Sequence, residues 1–280
     1  MLDPRNSLAW RIYIGAFYVF LFAPLVVVAI FAFNASSFPA LPWRGFTLDW
    51  FFATQAAGTT KPGIFQDAGM MRAIFNSLRV AIPVTLISLF VGTTNSFLLE
   101  RYRFPGQVVL SVAMLWPLVI PGVILGTSIL AFASGIAEVL ENWLNMDIEF
   151  LRPSLSLVVI GQCSFTITIA TLMISARLRK LDRTLEEAAL NLGANKFRVL
   201  RTITLPFLAP ALVGGALVCF LLSVENFNTS LMLMGSEPTL PIYMYGQMRD
   251  GATPAINAVS VLLMSMTMLI AILSTLRKAK

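Results

Sequence analysis

The sequence predicts an all-α integral membrane protein that crosses the bilayer six times. Hydrophobic residues make up 57% of the 280 residues and charged residues only 12%, with a mean hydropathy of +0.79. A soluble domain carries about 25% charge, so this chain is not one. Apolar runs of about 20 residues recur along it, and lipid leaves a backbone no partner except its own helix. The short alternating segments of a β-barrel are missing. The runs place spans at 12–33, 73–99, 108–134, 155–176, 207–233 and 254–276, within a single domain covering 1–280.

The first run follows Arg5 and Arg11. It exceeds the roughly 7–15 residues of a signal-peptide core and no A-x-A site follows, so it reads as a retained span, bent at Pro24. Residues 34–72 hold Pro39, Pro42, Gly45, Gly58, Pro62 and Gly63 among aromatic rings and read as an ordered external loop. The piece from Gly58 to Gly63 opens like a phosphate loop, yet Ile64-Phe65 replaces the required Lys-Ser/Thr, so the chain has no Walker A site. Arg79, in the second span, either snorkels to the outer interface or faces a water-filled path. Glu100 to Gly106 form a tight basic turn.

The third span contains Pro117, Pro121 and Gly122-x-x-x-Gly126. Small residues four apart let helix backbones approach, so this is a packed, kinked helix or a wall of a passage with Trp116 facing the solute. Residues 135–153 carry Glu138, Glu141, Asp147 and Glu149 against Arg152, and Ile136, Val139, Leu140, Trp143 and Leu144 give them an apolar face suited to the outer surface. That acidity is a solvated loop, or it attracts a cationic solute or a binding protein. The fourth span leads into Arg177, Arg179, Lys180 and Arg183. The fifth contains Glu225-Asn226-Phe227-Asn228. A connection with Pro238, Pro241, Arg249 and Asp250 then reaches the sixth, and Arg277, Lys278 and Lys280 end the chain.

The net charge of +6 is explained by orientation rather than by nucleic acid. Arg5 and Arg11, Arg101 and Arg103, the group from Arg177 to Arg201, and the C-terminal cluster fall on one side. Arg44, Lys61, Arg72, Arg152 and Arg249 fall on the other. The heavier set faces the cytoplasm, which places both termini inside. Cys163 and Cys219 lie in apolar runs as small packing residues. With no histidine and no cysteine cluster, the sequence argues against a transition-metal site, and a nucleophile–histidine pair is unavailable, so the chain reads as a conduit and not an enzyme.

The polar stretch from Leu181 to Pro206 stands out against this oil. Asp182 suits an N-cap, with Glu186 and Glu187 in the opening turns where negative charge favours the helix dipole. Gly193 supplies a left-handed turn into a second short helix with Lys196, Arg198 and Arg201, and Pro206 marks where the next helix begins. Phe197, Leu200, Ile203 and Thr204 share one face of that second helix. The reading is a rigid amphipathic knob; the alternative is a loop lying on the lipid surface.

A second candidate is Glu225. An ionisable group in an apolar span is costly and lines a cavity or finds a partner. Asn226 adds a polar group, and Asn228 falls three residues on, on much the same face. With Phe220 and Phe227 nearby, the set suits an ammonium ligand. Alternatively Glu225 binds a neighbouring helix or sits at the outer interface before Gly235.

Glu187-Ala188-Ala189, then Gly193, then Ile203-x-Leu205-Pro206 resembles without a gap the EAA loop of bacterial ABC-importer permeases. Asn76-Ser77-Leu78, the turn at Glu100–Gly106, and the stretches Ser223–Phe227, Leu240–Tyr243 and Pro254–Ala258 are similar to the spermidine/putrescine branch of that family. The chain has one acid at Glu225-Asn226 where the branch often has more, and its first external loop is longer than in short members. The resemblance implies a type I ABC-importer (MetI-like) fold whose EAA coupling helix docks on a separate ATPase. Glu187, Ala188, Ala189, Gly193, Arg198, Ile203, Leu205 and Pro206 would do the docking. It further implies a bacterial inner-membrane protein passing a polyamine or related small cation, by alternating access, along a path including Glu225, Asn226, Asn228, Trp116 and Phe220. The partners implied are a second, related permease in a heterodimer, two cytoplasmic ATPases that bind ATP and Mg²⁺, and a periplasmic solute-binding protein, with no cofactor on this chain. Other solutes compatible with the architecture are an aminophosphonate or ferric iron; a reading from another class is a membrane anchor for a soluble partner.

Overall fold

The computed structural model describes residues 8–39, 41–56, 61–144, 148–251 and 253–278. Arg5, Gly58, Thr59, Thr60, Asp147 and Lys280 lie outside the described residues, as do the side chains of Leu144, Arg277 and Lys278. Helices account for nearly all the regular structure. In chain order they are α1 (Leu8–Phe31), α2 (Asp49–Phe52), α3 (Ala68–Arg101), α4 (Gln107–Ala113), α5 (Trp116–Val119), α6 (Gly122–Leu144) and α7 (Leu155–Leu178). There follow α8 (Arg183–Asn191), α9 (Lys196–Val199), α10 (Leu205–Val224), α11 (Asn228–Leu233), α12 (Leu240–Arg249) and α13 (Pro254–Lys278). Among the described residues five helical stretches are long and apolar enough to cross a membrane: 8–31, 68–101, 122–143, 155–178 and 196–224.

The boundaries depart from the expected spans where local chemistry overrides hydropathy. The run 108–134 is three helices and not one. Ile120 is extended (φ −73°, ψ 128°) because Pro121 crowds the helical conformation of the residue before it. Beyond that break α6 runs on to Leu144, so residues 135–144 continue a helix instead of starting a surface segment; no proline interrupts them. The fifth run also breaks. Helix α10 stops at Val224 and α11 restarts at Asn228. The first run begins earlier than expected and continues through Pro24 as one helix.

The chain divides into two compact units, residues 1–71 with 244–280, and residues 72–243. In the first unit α1 packs along α13, and no α1 residue is buried. A hydrophobic helix with so much of its surface uncovered needs lipid or another protein against it. The described residues of the segment after α1 are held by specific contacts. Trp50 is fully buried and its indole N–H donates to the Asn34 carbonyl at 2.9 Å, while Asn34 Oδ1 accepts from the Arg44 N–H at 3.0 Å. Phe33 stacks on both Phe46 and Phe51, each at 5.3 Å between centroids. Lys61 donates to Gln247 Oε1 at 3.1 Å.

The second unit has two apolar cores. In one, Val80 and Val84 of α3, Ala133 of α6, Leu157 and Val158 of α7 and Leu233 of α11 pack together. In the other, Ile174 and Leu178 of α7 meet Leu181 and Leu208. The glycines of the Gly122-x-x-x-Gly126 pair set the α6–α11 spacing. A Cβ on Gly126 would stand 2.9 Å from Met232 Cβ, one on Gly122 would stand 3.1 Å from Asn228 Cβ, and one on Gly161 would collide with Leu233. The close helix approach expected from that spacing is therefore realised, with α11 as the neighbour.

Candidate functional site: a braced turn and a broken helix

The stretch 181–206 folds from its own caps. Asp182 Oδ1 accepts from the Thr184 N–H at 3.0 Å and opens α8, and this bond holds the exposed Asp182 carboxyl below its usual range. At the other end Gly193 adopts φ +87°, its N–H reaches the Leu190 carbonyl, and the Ala194 N–H reaches the Ala189 carbonyl. These two bonds close a Schellman turn, which needs the left-handed residue that glycine supplies. Asn195 then caps α9, accepting from the Arg198 N–H at 2.8 Å.

The second short helix is not separate from the span that follows. From Lys196 to Val224 the chain is continuously helical, with Pro206 in the first turn of α10 as expected. Residues Leu200–Thr204 widen into a π turn in which the Leu205 N–H bonds to the Leu200 carbonyl. The wide turn sits directly before Pro206, whose missing N–H would interrupt a regular α ladder. The described geometry is thus one short helix, a glycine turn, and the first turns of a long helix.

What braces the turn is Glu186, a residue sequence reasoning used only for its dipole. Its Oε2 lies 2.8 Å from Arg101 Nη2 at the end of α3, and its Oε1 accepts from Thr204 Oγ1 at 2.6 Å. Both charged side chains are over four-fifths buried, so the pair is shielded from the screening that weakens surface ion pairs. Nearby, Arg179 donates to Glu100 Oε1 at 2.8 Å, Arg183 donates to the Glu100 carbonyl at 2.6 Å, and Arg177 lies over the Phe207 ring at 4.1 Å. The carboxylate of Glu100 raises the Arg179 guanidinium above its ordinary value.

The outer face is left bare. Glu187, Ala188, Gly193, Arg198, Leu205 and Pro206 are exposed, Ala189 is half-buried, and Ile203 packs on the second core. Leu192 is 89% exposed and Phe197 69%, with Leu185 and Leu190 also uncovered. Phe197 therefore parts company with Thr204, which is buried. A Cβ on Gly193 would meet nothing within 4 Å.

The second site lies at the break between α10 and α11. Glu225 follows the last turn of α10 and is exposed, Asn228 opens α11 and is exposed, and Asn226 between them is half-buried. Because α10 stops at Val224, Glu225 and Asn228 do not share a helix face; they flank a turn. Asn226 Oδ1 accepts from the Ser230 N–H at 3.2 Å and from Ser230 Oγ at 3.0 Å, and this local bonding competes with continuing α10. Trp116, 63% exposed, lies on α5, which packs on α7, and Phe220 is half-buried on α10.

Behind the break is a polar network that hydropathy does not reveal. Gln162, fully buried on α7, donates to Ser230 Oγ at 2.9 Å and accepts from Ser223 Oγ. Its carbonyl takes Thr166 Oγ1 at 2.8 Å, and that hydroxyl meets Ser88 of α3 at 2.6 Å. Four helices are tied together by neutral groups. The available signal was that Gln162 is the one amide in the apolar run Leu155–Leu178.

These features match a described family. Residues 84–278 fit the model of the binding-protein-dependent transport system inner membrane component. The chain belongs to this family. It is a multi-pass inner-membrane permease of an ABC importer, a subunit without catalytic activity or cofactor, working with separate ATPase subunits and a periplasmic binding protein. The permease is 31% identical over 258 residues to the putrescine transport system permease protein PotI of Escherichia coli K12, covering 91% of this chain and 85% of that protein. It is 25% identical over 260 residues to the spermidine/putrescine permease PotC of Haemophilus influenzae, covering 92% of each. The fold matches a bacterial transporter that imports the acidic polysaccharide alginate, with a TM-score of 0.71 at 18% identity over 95% of this chain and 94% of that one. It also matches the inward-facing MetNI methionine transporter, at 0.55 and 21% identity over 74% and 93%. Among the described residues no cluster of three potential metal ligands exists.

Proposed function

We propose that the permease passes a polyamine or a related small cation into the cytoplasm by alternating access. The observation that carries this reading is the exposed Glu225 carboxylate at the α10–α11 break, flanked by Asn228 and backed by the Gln162 network. A discontinuous helix at a membrane protein's core presents polar groups to a solute without opening backbone to lipid. The putrescine and spermidine relatives support the solute class. Trp116, Phe220 and Asn226 complete the proposed path, Asn226 as the group that shapes the turn.

In this reading the chain works as one domain of six spans with both termini in the cytoplasm, paired with a second, related permease. Helix α8 and the turn at Gly193 then seat in two-ATPase machinery, with Glu187, Ala188, Ala189, Arg198, Ile203, Leu205 and Pro206 around the contact. Closure of the nucleotide-bound ATPases draws the two coupling turns together and opens the permease pair outward. The braces at Glu186 suit that task, since a lever that deforms transmits nothing.

The test is uptake by the reconstituted assembly with labelled putrescine, spermidine, an aminophosphonate and ferric iron offered separately. Polyamine uptake that drops at least about tenfold in Glu225→Gln, with unchanged thermal stability, is the expected result. Uptake of the aminophosphonate or iron alone, or wild-type polyamine uptake in Glu225→Gln, would sink the assignment.

A further inference from the structure

Beside the coupling turn, the second unit contains a cavity of about 440 Å³ between the end of α3, the turn after it, α4 and α7. It is lined by Arg101, Arg103, Arg179 and Arg183, by one carboxylate, Glu100, and by the apolar side chains of Met114, Leu115 and Leu172. The charges do not cancel. Glu186 takes Arg101 and Glu100 takes Arg179, which leaves Arg103 and Arg183. Arg183 donates only to the Glu100 carbonyl, and Arg103 has no ion pair among the described residues. With Arg103 and Arg183 left over, the lining is net positive and disfavours the cationic solute proposed above.

A second, independent observation points to a ligand. Ser175 lines the cavity, is 5% exposed, and its Oγ has no hydrogen-bond partner. The neighbouring hydroxyls on α7 all have partners: Thr166 bonds to the Gln162 carbonyl, Thr171 to the Ile167 carbonyl, and Thr168 to the Met114 carbonyl after α4. A buried hydroxyl left unpaired costs about 1–3 kcal/mol and marks a place where another polar group belongs.

We propose that this cavity seats the headgroup of an anionic phospholipid, with the phosphate between Arg103 and Arg183, an ester oxygen at Ser175 and an acyl chain along Leu115 and Leu172. The dimensions fit. From Ser175 to Thr168 the cavity wall descends about 10 Å along α7, which carries it from headgroup depth into hydrocarbon. Leu115 and Leu172 are themselves partly exposed, and α4 beside them presents Val108, Val109 and Val112 outward. A free phosphate ion would gain nothing from that apolar floor. Arginine pairs with phosphate bidentately, and basic pockets between helices on the cytoplasmic side select anionic headgroups. The proposal depends on the orientation proposed above only for which leaflet supplies the lipid.

The intact importer, stripped of lipid in neutral detergent and offered phosphatidylglycerol or phosphatidylethanolamine, provides the test by native mass spectrometry. One phosphatidylglycerol is expected to stay with each copy of this chain, and phosphatidylethanolamine is not. Loss of two arginines at a headgroup should cut retention about thirtyfold in the double variant Arg103→Gln, Arg183→Gln. The double Lys variant should restore most of it, which separates lost charge from lost fold. Ser175→Leu, which fills the cavity and keeps every charge, should also release the lipid. Equal retention of the two lipids, undiminished retention in the Gln variant, or displacement of the lipid by millimolar inorganic phosphate would each overturn the proposal. Labelling Leu192→Cys with an impermeant maleimide from either side reads the orientation separately.

Discussion

The braced turn at 181–206 and the broken helix at 225–228 solve one problem, holding a short irregular segment still, with opposite chemistry. The turn uses charge: Glu186 against Arg101, and Glu100 against Arg179. The break uses neutral amides and hydroxyls, Gln162 with Ser223, Ser230 and Thr166. Depth explains the choice. Near a helix end a charged pair keeps partial contact with water, whereas among apolar helices each unpaired ion would cost far more than a neutral group. The turn has bare apolar residues on its outer face, and the break has a bare carboxylate. In each region the residues that hold the segment still are different from the residues it leaves exposed.

Removing one brace from each region tests that division. In Glu186→Ala both Arg101 and Thr204 lose their partner, and a loss of about 3 kcal/mol in stability is expected with ATP hydrolysis no longer stimulated by solute. Thermal unfolding and stimulated hydrolysis of the purified importer measure the two together; a variant that keeps full stimulation would show that the brace is dispensable. In Gln162→Leu the hydroxyls of Ser223 and Ser230 lose their amide, a cost of roughly 1–3 kcal/mol. Uptake should fall while basal hydrolysis persists, because the damage lies away from the turn at Gly193.

Gly193→Ala sharpens the account of the bare face. On this chain the added Cβ touches nothing, so only the left-handed backbone is strained, by about 1–2 kcal/mol. A drop in hydrolysis larger than that strain predicts would reveal a partner seated against the turn, and an unchanged rate would argue that nothing packs there. The smallest effect concerns the Asp182 cap. Its carboxyl titrates below the ordinary range, so the cap is fully present above about pH 4 and fades only as pH falls through the lowered value. Hydrogen exchange at the Thr184 amide should accelerate only in that acid window, and acceleration near neutrality would contradict the assignment.

Much of this was legible residue by residue. Asp182 caps α8 and Gly193 turns the chain because these are local events, decided by a side chain and the backbone next to it. The approach of α6 to a neighbour was legible from Gly122 and Gly126, although not which neighbour. The break at Ile120 was foreshadowed by Pro121, yet hydropathy ran straight over it, since an extended residue among apolar ones leaves no polar trace. The continuity of 196–224 was hidden for the reverse reason. Pro206 reads as a start, and the π turn that absorbs it has no sequence signal of its own.

By itself the sequence determined the class, the family and the caps, for each depends on composition or on residues a few positions apart. Only the tertiary structure decided that Glu186 rather than Glu187 is the fixed carboxylate, that Gln162 organises the break, and that Ser175 opens on a cavity. Those roles belong to contacts spanning 18 to 85 positions of chain, and burial, which sets the worth of a charge or a hydroxyl, exists only once the helices have packed.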